Sequence, residues 1–236
     1  MNWTSIIEKE LRSKATRERA TISPRFFKTG KGDYGEGDLF IGVAVPHQRA
    51  LAIKYASQLS LKDIELLLQS KYHEVRLTGL LMVNRLFNGS KTESEYSRWV
   101  KLYLRNLPAI NNWDLVDSTA PIVLGGWLLN RDRKLLYQFA KSRDLWKNRI
   151  AIITTLAFIR NQEQDDLLGI SAILLNHPHD LIHKATGWML REGWKKNPKR
   201  IEEFLRQNAP NMPRTMLRYA IEKMTPTRRA YFKKLS

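Results

Sequence analysis

Cysteine does not occur among the 236 residues of this chain, and its absence excludes several kinds of chemistry. Without thiols the protein has no disulfide bond, no cysteine nucleophile and no cysteine-ligated metal. The sequence also lacks any uncharged apolar run near the roughly 18 residues that span a membrane, and its N-terminal stretch has no apolar core of signal-peptide type. We therefore expect no membrane association, and the missing cysteine fits a cytoplasmic protein.

Acidic residues are few relative to basic ones. The chain has 23 Asp and Glu against 40 Lys and Arg, which gives a formal net charge of +17. The electrostatic field of such a positively charged protein attracts polyanions. Nucleic acid is the first partner class to consider and an anionic membrane surface the second, while a merely soluble basic surface is a third interpretation.

The basic surplus is concentrated near the C-terminus, where residues 184–236 contain 14 basic and four acidic side chains. Helical spacing places Arg214 and Arg218 on one face, and Lys184 and Arg191 on another. We predict that these four residues contact DNA phosphates, with an affinity that falls as salt rises. Zinc ligands, a zipper and RNP-type strands are missing from the sequence, which favours recognition of the backbone and its shape over base reading.

Alternating strand patterns are also scarce. From residue 46 onward the sequence predicts roughly a dozen helices of about 9–18 residues, with strands conceivable at residues 40–45 and 150–154. The helices form pairs about 35–45 residues apart, a period typical of HEAT-like α-solenoids. We predict an all-α protein, one domain over residues 1–236, in which helical pairs stack into a curved solenoid with a concave basic groove. Residues 2–20 read as one helix and residues 21–38 as a glycine-rich loop opened by Pro24.

One helix start combines features of special interest, in residues 111–118 (NNWDLVDS). Two asparagines offer an N-cap, and Asp114 in the first turn complements the helix dipole. Trp113 and Asp117 are four residues apart, so an indole and a carboxylate lie on one helix face. An ordinary capped helix with a core tryptophan is the plain interpretation, and a functional pair in a basic protein is the alternative.

Three further segments are important for the interpretation. Residues 145–151 (LWKNRIA) and 179–192 (HDLIHKATGWMLRE) each combine a tryptophan and an arginine with apolar residues, and residues 212–222 (MPRTMLRYAIE) combine two arginines with apolar residues. Together with residues 111–117, in this order, they resemble the AlkD-type DNA alkylation repair family of HEAT-like glycosylases. The resemblance extends over about residues 24–222.

The resemblance implies a C-shaped α-solenoid that hydrolyses the N-glycosidic bond of positively charged N-alkylated purines, such as 3-methyladenine and 7-methylguanine, in duplex DNA. It implies that Asp117 is the catalytic carboxylate and that Trp113 and Trp188 pack beside the sugar of the damaged nucleotide. It also implies that Arg149 holds the DNA backbone. Phe26 aligns with a tyrosine of the family, so a ring is kept and a hydroxyl is lost. We expect a monomer that needs no cofactor.

The chemistry is consistent with these residues. An alkylated purine is a cationic leaving group, and its departure builds positive charge on the sugar, as in glycoside hydrolysis. A carboxylate stabilises that charge and orients a water molecule, and an indole face adds about 0.5–2 kcal/mol of cation–π attraction.

Other interpretations stay open at this point. The two tryptophans could be core residues, and Asp117 and Arg149 could form ordinary surface ion pairs. His179 and His183 have the spacing of metal ligands, but without a third ligand capping and packing are favoured, and we predict no metal site. A non-catalytic HEAT-like protein that binds bent or branched DNA is the main functional alternative, and a protein scaffold is a third.

Overall fold

A computed structural model describes residues 2–235 of the chain. Over this range the protein consists of 14 α-helices and three single-turn 3-10 helices, and it contains no β-strand. The α-helices are α1 Trp3–Arg12, α2 Arg17–Phe26, α3 Val45–Tyr55, α4 Leu61–Leu68, α5 His73–Gly89, α6 Glu93–Arg105, α7 Trp113–Leu128, α8 Lys134–Ala140, α9 Leu145–Arg160, α10 Asp165–Ile173, α11 Asp180–Lys196, α12 Pro198–Asn208, α13 Arg214–Ala220 and α14 Pro226–Leu235. The all-α prediction is confirmed. None of these helices combines the length and apolar character needed to cross a bilayer.

The chain divides into two compact units, with the boundary after Val123, inside α7. The first unit is built around α5, which contacts α1, α3, α4 and α6. The first twelve residues of α5, 73–84, are all buried, including charged ones. A helix that is buried on every side needs partners for its polar side chains, and those partners form the site described below.

The second unit shows the stacking of helical pairs. Helix α8 packs on α9 and α10 on α11, while α9 contacts α11 and α11 contacts α13. Helices α9, α11 and α13 thus form one layer, and α8 and α10 pack against it, which is the arrangement expected of an α-solenoid. The C-shape, the concave basic groove and the single domain over residues 1–236 stay predictions.

Local sequence signals set most helix starts. Thr92 and Glu95 form a capping box at α6, and Ser60 forms another with Asp63 at α4. The side chain of Asp144 accepts hydrogen bonds from two backbone N–H groups at the start of α9. His179 caps α11 through Nδ1, which accepts from the N–H of Leu181 at 3.1 Å, the role that the sequence favoured over metal binding.

Two predictions about the N-terminal region are wrong. Residues 2–20 are not one helix, because α1 ends at Arg12 and Thr16 caps a new helix. The predicted loop at 21–38 begins later, since α2 continues through Pro24 to Phe26. Pro24 lacks the N–H that would donate to the carbonyl of Ala20, and the helix ends two residues later at Phe26.

The conceivable strands did not form either. Residues 150–154 lie within α9, and residues 40–44 form an extended connection to α3. Within residues 2–235, β-type pairing is limited to an isolated parallel bridge between Leu39 and Tyr72.

Candidate functional site

The start of α7 is held by side chains, as the sequence predicted. Asn112 is fully buried, and its Oδ1 accepts the backbone N–H of Trp113 at 2.9 Å. The Oδ1 of Asp114 accepts the N–H of Leu115 at 2.9 Å. These acceptors satisfy N–H groups that have no intrahelical partner in a first turn. Asn111 points elsewhere, toward a group of buried charges.

The group of charges that we call the charged cluster consists of the buried Asp38, His73 and Arg76 and the half-buried Asp114. His73 is 1% exposed and donates from Nδ1 to Asp38 at 2.9 Å and from Nε2 to Asp114 at 2.8 Å. Arg76 donates to the other oxygen of Asp38 at 2.6 Å and to the side chain of Asn111 at 2.9 Å. The cluster therefore ties α5 to both the loop before α3 and the first turn of α7.

The protonation of the cluster follows from its geometry. Burial lowers the pKa of His73, but hydrogen bonds to Asp114 and Asp38 outweigh burial and raise it to about 9. Burial has the opposite effect on Asp38 and raises its pKa. The hydrogen bonds and positive charges of His73 and Arg76 outweigh burial, so the pKa of Asp38 lies below its ordinary value. At neutral pH His73 is therefore protonated and Asp38 is ionised, so these two groups attract each other.

A second buried carboxylate fixes the extended segment before α3. Glu74 is 3% exposed and accepts backbone N–H groups from Ile41 at 2.9 Å, Gly42 at 2.7 Å and Val43 at 3.3 Å. Gly42 has φ of +93°, and a Cβ there would meet the backbone N of Ala20 at 2.6 Å, so this segment requires glycine. The tether holds the neighbouring Phe40 against α5.

Four aromatic residues pack together beside the charged cluster, and we call them the aromatic cluster: Phe26, Phe27, Phe40 and Trp113. Phe27 stacks between Trp113 and Phe40, with ring centroids 5.3 Å and 5.0 Å away. Phe26 meets Trp113 edge-on at 5.7 Å, and it is 60% exposed. Phe27 and Phe40 each also contact the His73 ring, both at 4.8 Å. A well-supported indole next to an exposed phenyl ring is a surface on which a flat or apolar group can pack.

This surface lines a pocket of about 570 Å³, the aromatic pocket, entirely within the first unit. Besides the aromatic cluster, its lining includes His73, Asp114 and Ser118, and Ile22 and Val45 form exposed apolar parts of its rim. The structure thus brings Phe26 and Trp113, two of the sequence-predicted residues, to one pocket. Asp117 is not among the described residues that line it.

Asp117 lies one helical turn after Trp113 on α7 and is half-buried. Its negative charge adds to burial in raising the pKa of Tyr103. The Tyr103 hydroxyl accepts a hydrogen bond from Thr119 at 3.2 Å, which holds it inside the unit. Trp113 and Asp117 share a helix face, as predicted, and the catalytic role of Asp117 stays a prediction.

In the second unit, three of the predicted DNA-binding residues have partners within the protein. Arg149 is 5% exposed and donates to the carbonyl of Leu181 at 2.6 Å. Lys184 forms an ion pair with Asp180 at 2.6 Å. Arg191 pairs with Glu222 and, at 3.4 Å, with Glu192. Their roles on DNA stay predictions.

The remaining predicted residues of this unit are more open. Arg214 and Arg218 are exposed, and together with Lys233 they line a small basic pocket. Neither arginine forms an ion pair with a carboxylate within residues 2–235. Trp188 is half-buried on α11 and lines a shallow pocket with Arg160.

The sequence interpretation missed the charged cluster. A signal for it exists, because residues 73–76 (HEVR) place three polar side chains at the start of a helix that is otherwise strongly apolar. Charged side chains on a buried helix need compensating charges. In the part of the chain that the structure describes, no group of three or more His, Asp or Glu side chains could hold a metal ion.

Comparisons with known proteins now bear on these features. The family model of the DNA alkylation repair enzymes matches residues 7–224. The chain belongs to this family. The AlkD-type resemblance in its motifs is thereby confirmed, and membership supports a role in the repair of alkylated DNA, which requires DNA binding.

A solved structure agrees with the family fold. It is described as a predicted DNA alkylation repair enzyme from Enterococcus faecalis, and it matches with a TM-score of 0.70 over 90% of this chain and 98% of its own. Sequence identity is 18%, so the likeness shows a shared fold. A comparison with curated protein sequences gave no match.

Proposed function

We propose that this member of the DNA alkylation repair family is a DNA glycosylase that excises positively charged N-alkylated purines, such as 3-methyladenine and 7-methylguanine, from duplex DNA. The proposal is carried by one observation: α7 presents Trp113, supported by the aromatic cluster, and Asp117 one turn later, in a chain with the family's sequence pattern. The net charge of +17 supplies the attraction for DNA.

The reaction needs little acid catalysis. Breaking the bond between C1′ and the ring nitrogen returns its electron pair to the base, which leaves neutral. Positive charge then develops on the sugar, where the Asp117 carboxylate stabilises it. A water molecule attacks C1′ and gives its proton to Asp117, which completes the hydrolysis.

The tryptophans and arginines have supporting roles in the proposal. The indole faces of Trp113 and Trp188 attract the cationic base and sugar by about 0.5–2 kcal/mol each. Arg149, Lys184, Arg214 and Arg218 contact phosphates and hold the duplex. Arg191, which pairs with Glu222 and Glu192, supports this surface from within the protein. The charged cluster acts through α7, because Asp114 anchors the turn that carries Trp113.

The decisive experiment measures release of methylated purine from N-methylated duplex DNA. Asp117→Asn keeps the shape of the side chain and removes its charge, so we expect release to fall by about 10²-fold or more while duplex binding is retained. Asp132→Asn removes an equal charge at an exposed site on the turn before α8 and should leave release unchanged.

Two results would contradict the proposal. Release that is unaffected by Asp117→Asn would remove the carboxylate from the mechanism. Duplex binding without any release by the wild type would leave a non-catalytic protein that binds bent or branched DNA.

A further inference from the structure

The first unit contains a second large pocket, of about 790 Å³, which we call the arginine pocket. Three helices each contribute one arginine to its lining: Arg49 from α3, Arg85 from α5 and Arg98 from α6. All three side chains are exposed, and none forms an ion pair with a carboxylate within residues 2–235. Elsewhere in the unit, exposed cations such as Arg12 and Lys54 do have such partners.

The electrostatic balance of the arginine pocket is positive. Glu95 is the acidic residue of its lining, and its carboxylate accepts the backbone N–H groups of Lys91 at 2.6 Å and Thr92 at 3.1 Å. It is therefore committed to capping α6. The guanidinium of Arg98 lies 5.6 Å from the centroid of the Trp99 ring, which helps to hold it in place. Three guanidinium groups around one cavity suit an anion with several oxygens, since each can donate a fork of hydrogen bonds.

The arginine pocket continues the face that lines the aromatic pocket. On α5, Leu77 lines the aromatic pocket, and Leu81 and Arg85 follow at four-residue intervals in the arginine pocket. On α7, Ser118 and Ile122 have the same relation. Residues four apart lie above one another on a helix, so the two pockets adjoin along α5 and α7.

The separation of the two pockets along α5 can be expressed in base pairs of DNA. Arg85 is eight residues after Leu77 on α5, which corresponds to roughly 12 Å at about 1.5 Å per residue. A duplex advances about 3.4 Å per base pair, so this separation equals roughly three to four base pairs. Asn84 reinforces the alignment, because its Nδ2 donates to the Ser118 carbonyl at 2.9 Å and joins α5 to α7 between the pockets.

We propose that the arginine pocket binds the phosphodiester backbone of the DNA roughly three to four base pairs from the nucleotide held at Trp113. This inference rests on the proposed function, which places the damaged nucleotide at Trp113. It assigns DNA contacts to the first unit, whereas the sequence placed the basic contacts from residue 149 onward. The backbone on one side of the lesion is thereby fixed by the same helix whose other end anchors α7.

The first test measures duplex affinity as a function of salt. Arg49→Gln, Arg85→Gln and Arg98→Gln each remove one phosphate contact, so the slope of log K against log salt should lose about 0.9 in each variant. The probe is a labelled duplex with one 7-methylguanine, titrated between about 50 and 200 mM NaCl. Lys101→Gln is the matched control, because it removes one charge from α6 outside the pocket and should change the slope little.

Folding is controlled within the same set. Arg85→Lys keeps the positive charge and should keep most of the wild-type slope. All variants at these exposed positions should have the same midpoint of urea unfolding as the wild type. Equal slopes for the wild type and all three glutamine variants would overturn the inference. An equal loss in Lys101→Gln would also overturn it, because net charge alone would then explain the effect.

A second test leaves the protein unchanged. One neutral methylphosphonate is placed at successive positions on either side of the lesion, and binding is measured for each duplex. We expect a local loss of affinity roughly three to four base pairs from the lesion, and this loss should vanish in Arg85→Gln. A uniform profile would overturn the arginine pocket as a phosphate site. Purine release by the wild type is measured separately, so that a failure of the glycosylase proposal is seen independently.

Discussion

His73 carries a positive charge where charges are costly, since it is 1% exposed and lies between two carboxylates. Replacing a buried ion pair by apolar residues often leaves stability unchanged, so the value of this arrangement is better sought in position than in stability. Its two hydrogen bonds fix the directions of Asp38 and Asp114. Asp114 is the neighbour of Trp113, so the hydrogen bond from the histidine anchors the turn of α7 that carries the indole.

The stability of the protein should depend on pH through His73. Its pKa rises from about 6.5 in the unfolded chain to about 9 in the folded protein, which corresponds to about 3 kcal/mol. A raised pKa stabilises the fold fully below about pH 6.5 and loses this contribution as the pH rises through about 9. We expect urea unfolding to show this decline for the wild type, with a much smaller one for His73→Gln.

The comparison with the variant isolates His73, because lysines and tyrosines that titrate at higher pH are present in both proteins. Parallel stability curves for wild type and variant between about pH 6.5 and 9 would contradict the charged state of this histidine. The fluorescence of Trp113 is obtained by subtracting the spectrum of Trp113→Phe from that of the wild type. A change in this difference spectrum as the pH rises would show that the indole moves when His73 loses its proton.

Phe26 offers a residue whose function can be separated from stability. It is 60% exposed and meets the Trp113 ring edge-on. The free energy of unfolding of Phe26→Ala should therefore lie within about 0.5 kcal/mol of the wild-type value. Loss of the contact that Phe26 is proposed to make with the DNA, worth about 0.5–1.5 kcal/mol, should reduce purine release about 2- to 10-fold. Phe26→Tyr, which restores the family's hydroxyl, should be at least as active as the wild type. Unchanged release by Phe26→Ala would remove this ring from the site.

At the scale of helices, what could be predicted from the sequence was local. The cap of α7 depends on residues next to each other in the sequence, and it was found. The capping box of Thr92 and Glu95 is a local signal of the same kind. The charged cluster was missed because His73 is 35 residues from Asp38 and 41 from Asp114, so that tertiary packing alone brings them together. The Pro24 prediction failed because a proline signal does not say how near it is to a helix end.

Close helix packing in the second unit leads to a further prediction. Gly187 lies in α11 next to Trp188, and a Cβ there would be 2.6 Å from the Cβ of Tyr219 on α13. Gly187→Ala should therefore cost about 1–3 kcal/mol of unfolding free energy, because one helix must shift. Gly89 ends α5 with nothing within 4 Å of its added Cβ, so Gly89→Ala should be neutral or stabilise by up to about 1 kcal/mol.

Urea unfolding of both glycine variants measures the contrast directly. If Gly187→Ala proves as stable as Gly89→Ala, α11 and α13 do not pack as closely as described. If it is destabilised as expected, purine release by the folded variant then shows whether a shift of α11 disturbs the role proposed for Trp188.

For the whole molecule, the net charge of +17 does not say which cations meet DNA. Many are engaged internally, as shown by Arg191, whose side chain is 18% exposed and pairs with Glu222 and Glu192. Composition gave the partner class correctly at the level of the family, because total charge is a property of the sequence. It could not separate ion-paired arginines from open ones, because that depends on neighbours such as Glu222, 31 residues away.

This difference can be measured with variants that change the net charge equally. Arg214 and Arg218 have no carboxylate partner in the described chain and line an open basic pocket, so Arg214→Gln and Arg218→Gln should each lower the salt slope of duplex binding by about 0.9 and leave stability unchanged. Arg191→Gln breaks a half-buried ion pair, so it should lose about 1–3 kcal/mol of unfolding free energy with little change in slope. If all three variants lost affinity alike, the overall field would govern binding, and the contacts assigned to single residues would be wrong. If the two classes separate, DNA is held by those arginines that the fold leaves without carboxylates.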